Sequence, residues 1–118
     1  MSDQPQTTQR KGVVAPVAKA IGLAGHVNYG EDAVVSRTLI YKNAGTLTLF
    51  AFDKGQGLSE HTAPFDATVQ VLEGEGEFII GGNAVVAKPG ELVIMPAGIP
   101  HSVRANQRFK MLLIMIRQ

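Results

Sequence analysis

From Val34 onward the chain repeats one pattern: a short run of β-branched and aromatic residues, then a glycine or proline turn. "VVSRTLI" and "TLTLFAF" are joined by "YKNAG", where Asn43 and Gly45 signal a reversal. "ATVQVL" and "EFII" flank "EGEG", and "GGN" separates "EFII" from "AVVA". "KPG" precedes "ELVIM", "PAGIP" precedes "HSVR", and "FKMLLIMI" follows. Residues of this kind fit a pleated, half-buried surface. About eight such runs at regular spacing predict an all-β sandwich or barrel. No segment with a helical period competes with them.

The chain of 118 residues is most simply one barrel domain over 34–118, preceded by a segment at 13–33 that packs on it. "MSDQPQTTQRK" is polar and free of aromatics, which predicts a loose tail over 1–12. "VAPVAKAIGLAG" predicts a short helical turn and then an extended segment. A formal net charge of +1 gives no electrostatic case for nucleic acid or an anionic membrane. Lys19 and Pro16 interrupt the only stretch resembling a leader, and no run approaches a membrane span. The expectation is a cytoplasmic protein. With no cysteine, disulfides, thiolate metal sites and a cysteine nucleophile are excluded.

The run "MLLIMI" is apolar at both parities, so both faces of its strand need cover. One face packs inside the barrel. The other requires the facing sheet's flank, the N-terminal segment or a second subunit, and a homodimer is the expectation. Met95, Met111 and Met115 read as core or interface filler.

Two segments share a spacing. The first runs Gly55, five residues, His61, one residue, Ala63, and later Gly74. The second runs Gly90, five residues, Pro96, one residue, Gly98, two residues, His101. These resemble the paired motifs of the cupin superfamily, G-x5-H-x-H-x3,4-E-x6-G and G-x5-P-x-G-x2-H-x3-N. The resemblance implies a double-stranded β-helix, or jelly-roll barrel. It also implies four metal ligands, of which only two are kept. The second histidine is Ala63, the glutamate is Ala67 or Thr68, and the terminal asparagine of the second motif is Ala105. A divalent transition metal normally takes at least three protein donors. Spacing offers no good replacement: Glu60 points away from His61 by strand parity, Asp66 lies in a loop, Gln70 is a weak neutral ligand, and the place of His26 is open.

Other motifs read blandly. In "PFD", Pro64 fixes a loop and Asp66 accepts backbone donors. "EGEGE" reads as a solvated hairpin tip. "GQG" at 55–57 is no phosphate loop, because no Lys-Ser/Thr follows. Arg37 could orient a carboxylate from inside the barrel or lie outside it.

Small side chains at 63 and 67 widen the barrel mouth and make its wall apolar. The first expectation is therefore a small organic ligand bound by His61, Ala63, Thr68, Gln70 and His101. His61 and His101 would be the catalytic pair for any acid–base chemistry of isomerase or lyase type. The second is a mononuclear metalloenzyme, an oxygenase or isomerase, holding Fe, Ni, Mn or Zn on His61 and His101. The third is a regulatory or interaction module without catalysis.

Overall fold

The computed structural model describes residues 12–117, so most of the expected tail over 1–12 lies outside the described residues. Among the described residues nine strands form: β1 (Val34–Lys42), β2 (Gly45–Phe52), β3 (Gly57–His61), β4 (Ala67–Gly74), β5 (Gly76–Ile80), β6 (Asn83–Ala87), β7 (Leu92–Met95), β8 (His101–Arg104) and β9 (Phe109–Ile116). Eight of them coincide with the runs read from sequence. β3 is the addition, because "GLSEH" has one aliphatic residue and little β-propensity. It forms through tertiary pairing with β8, not through its own composition.

Every strand pairing is antiparallel. One sheet has the order β1-β2-β9-β4-β7 and the other β3-β8-β5-β6, and the two enclose the core as a jelly roll. Phe52, Phe78 and Phe109 are fully buried between them, with Phe52 stacked on Phe109 at 4.7 Å and Phe78 edge-on to it at 6.1 Å.

"EGEGE" is not a hairpin tip. β4 and β5 belong to different sheets, so Gly74, Glu75 and Gly76 carry the chain across the barrel corner. Gly74 has φ +73°, and a Cβ there would collide with the Arg108 carbonyl oxygen and the Phe109 side chain. Gly76 lies under the Phe109 ring. Glycine is required at this corner by conformation at 74 and by space at 76.

The helical turn appears late in its segment, as a three-residue 3-10 turn at Ala24–His26. Ile21, Leu23, Val27 and Tyr29 pack against Leu39, Leu49, Ala51 and Leu112 on the outer side of the five-stranded sheet. β9 is thus covered on one face by the barrel core and on part of the other by the chain's own N-terminal segment. Polar contacts pin this strap. Lys110 Nζ donates to the Ala24 carbonyl oxygen at 2.6 Å and lies over the Tyr29 ring, while Tyr29 Oη donates to Glu73 at 2.6 Å. Burial first, and then the Glu73 carboxylate, push the Tyr29 phenol above its ordinary value.

Candidate functional site

Two loops bring the retained histidines together. The turn after β7 has Gly98 at φ +76°, and the Gly98 amide donates to the Ala63 carbonyl oxygen at 2.8 Å. The Ala97 amide donates to Asp66 Oδ1 at 2.9 Å, so Asp66 braces the loops and is no ligand. His61 at the end of β3 then faces His101 at the start of β8 as a direct cross-strand pair. Their ring centroids stand 4.5 Å apart, edge to face.

The rings differ in setting. His61 is exposed at the mouth, whereas His101 is only 2 % exposed. His61 Nδ1 lies 2.8 Å from the Ser59 carbonyl oxygen, and His101 Nδ1 lies 3.2 Å from that of Ile99. Among the described residues neither Nε2 has a hydrogen-bond partner. Burial, and then the neighbouring His61, hold the His101 imidazole below its ordinary pKa, which favours its neutral form. Both rings border a partly open cavity of about 180 Å³. Ala63 and Ala67 form part of its wall, with Met95, Met111 and Met115 beside them.

Thr68 and Gln70 are not part of this wall. Ala67, Val69 and Val71 take the inward positions of β4 and are buried in the core, so the alternating residues project to the opposite face. Thr68 lines a separate open groove with Phe65, Ile94 and Ile116, and Gln70 sits between Leu92 and Leu112. Arg37 also lies outside, where its guanidinium donates to the His26 carbonyl oxygen at 3.2 Å. His26 therefore belongs to the outer strap. Glu60 borders a shallow depression on the outer surface of β3 and β8. The methionines, read as filler, line the cavity as well as packing in the core. Their inward direction depends on register with Ala67, which lies opposite both Met95 and Met115.

The cupin domain family matches residues 48–117, more than half of the chain. The chain belongs to the cupin domain family. A solved structure of a conserved protein of unknown function from Streptococcus pyogenes is 34% identical to this cupin, with a TM-score of 0.86, covering 92% of this chain and 95% of that one. A cupin 2 conserved barrel domain protein from Leptotrichia buccalis is 42% identical, with a TM-score of 0.80, over 82% of this chain and 47% of that one. A cupin superfamily protein from Desulfitobacterium hafniense is 26% identical, with a TM-score of 0.82, over 88% and 95%. Salicylate 1,2-dioxygenase from Pseudoaminobacter salicylatoxidans, at 14% identity and a TM-score of 0.65, shares the fold alone. The comparison with curated proteins gives no match.

The metal that many cupins hold does not fit the residues of this one. Two imidazoles supply the donors, and among the described residues no group of three or more His, Cys, Asp or Glu side chains comes together. Methyl groups occupy the positions of the other motif ligands.

Proposed function

We propose that this cupin binds a small organic molecule in the cavity between its two sheets, with His61 and His101 as the polar contacts. One observation carries the reading: His101 is 2 % exposed, and its Nε2 has no partner among the described residues although it borders a cavity of about 180 Å³. A buried acceptor left unmatched costs roughly 1–3 kcal/mol, which a guest's donor can recover. An apolar wall with a few directed polar atoms is the usual form of a small-molecule site. Both rings commit Nδ1 to a carbonyl oxygen and so present acceptors in their neutral forms. That supports binding in preference to a paired acid and base for isomerase or lyase chemistry.

The test is a titration of chelator-treated protein with a panel of small organic molecules, followed by NMR. Shifts at the imidazoles of His61 and His101 are expected for at least one compound. A panel that perturbs only surface residues overturns the reading, as does stoichiometric metal in protein purified without chelator.

Self-association is proposed with it. β7 is a sheet edge, and Leu92 is 54 % exposed, Ile94 56 % and Ile116 71 %. An edge strand with apolar side chains beside it is suited to pairing with a second copy. Light scattering should give a dimer for the native chain and a monomer for Ile94→Lys. A native monomer overturns this part.

A further inference from the structure

The cavity's polar chemistry has a definite sense. A carbonyl oxygen only accepts, so Nδ1 of His61 and Nδ1 of His101 each carry the ring hydrogen in the neutral imidazole. Each Nε2 is then a lone pair. The remaining lining side chains carry neither a cation nor a hydrogen-bond donor. A carboxylate entering this space would exchange its water for apolar contacts and the lone pair of the buried His101 Nε2, with no lysine or arginine in the lining. A pure hydrocarbon would fit the wall and leave His101 Nε2 unmatched.

Size and wall composition narrow the guest further. The cavity's 180 Å³ is close to the roughly 150 Å³ apolar space that admits a benzene ring. Three thioethers, of Met95, Met111 and Met115, face it, and sulfur packs favourably at an aromatic edge. Ala63 and Ala67 line the same cavity with small side chains.

We infer that the guest is a one-ring phenol, its hydroxyl donating to a histidine Nε2 and its ring lying among the three methionines. This rests on the proposed binding reading and names the ligand class for the same cavity. Two acceptors at the mouth and wall favour a second, adjacent hydroxyl, as in a catechol. No covalent step is implied.

The experiment titrates the full chain, after chelator treatment, with benzene, phenol, catechol and benzoate, reading ring-nitrogen and methionine methyl shifts by NMR. Phenol should bind about threefold to tenfold more tightly than benzene, the worth of one net hydrogen bond. Catechol should bind at least as tightly as phenol, and benzoate most weakly. His101→Phe should keep benzene binding and erase the phenol advantage. His61→Phe, at the exposed mouth, gives the same comparison should the first variant not fold.

Benzoate binding as tightly as phenol overturns the inference, and so does a phenol advantage that survives in both variants. Either result leaves the binding reading standing, since a guest still occupies the cavity. If none of these four compounds and no member of the wider panel perturbs His61 or His101, both readings fall together.

Discussion

Ala67 and Thr68 are neighbours in the chain and belong to different chemistry. Ala67 borders a cavity of about 180 Å³ on the core side of the sheet with two imidazoles at its edge, whereas Thr68 borders a groove of about 510 Å³ on the outside of the sheet. The groove is the larger space. It lies on the outer face of the sheet, and its acidic residue, Asp66, accepts from the Ala97 amide. The cavity is smaller but is bordered by the nitrogen of a buried histidine with no hydrogen-bond partner among the described residues. A directed polar atom at the edge of an apolar wall is a better sign of a guest than volume, because it gives a ligand both orientation and a hydrogen bond.

The sharpest break in that comparison comes from the core itself. Phe109→Ala should cost about 3–5 kcal/mol in urea unfolding, because the ring contacts Phe52 and Phe78 and fills the space over Gly76. Ile94→Ser in the outer groove should stay within about 0.5 kcal/mol. Similar costs would mean that the two spaces are not inside and outside as described.

Next in size is a paired substitution on adjacent residues. Ala67→Leu should fill the cavity and reduce guest affinity by more than tenfold, with a folding cost of about 1–3 kcal/mol from overpacking. Thr68→Leu should leave guest binding unchanged. Calorimetric titration of both variants with the same guest decides it.

His101→Phe should hold or raise the stability of the guest-free protein by about 1 kcal/mol, since an apolar ring of similar shape removes an unmatched acceptor. Thermal unfolding without guest measures this. A large loss would make His101 a structural residue instead.

The smallest effects follow acid. The His101 pKa is lowered on folding, so the unfolded chain binds the proton more readily. Stability from this group is complete above about pH 6.5 and declines as pH falls toward the lower folded value. Asp53 acts in a lower window. Hydrogen bonds from Arg108 and from backbone amides bring its carboxyl down to about 2, so its contribution is present above about pH 4 and fades as pH falls toward 2. Unfolding midpoints from pH 8 to 2 should show both declines in His101 and Asp53 wild type. The upper one should vanish in His101→Phe.

Much of the barrel was legible in sequence because its strands announce themselves locally, through β-branched runs bounded by glycine and proline. "GLSEH" was the exception, since β3 depends on a partner strand distant in sequence. The meeting of His61 and His101 was legible only through motif spacing, which resembled a known family. Thr68 and Gln70 were assigned to the cavity, although the apolar alternation of Ala67, Val69 and Val71 already argued that they face outward. "EGEGE" misled for a related reason: a glycine-rich link between strands reads alike whether it reverses within one sheet or crosses to another.

By itself, the sequence determined that the chain is β-rich, that it keeps two of four family ligands, and that Ala63 and either Ala67 or Thr68 stand where the others would be. These are matters of residue type and spacing, which need no partner. Tertiary structure alone decided that the strap covers Leu112, that three methionines line the cavity beside Ala67, and that His101 Nε2 has no partner among the described residues. Each depends on which strand lies beside or opposite which, and such long-range register is fixed only when the sheets close on one another.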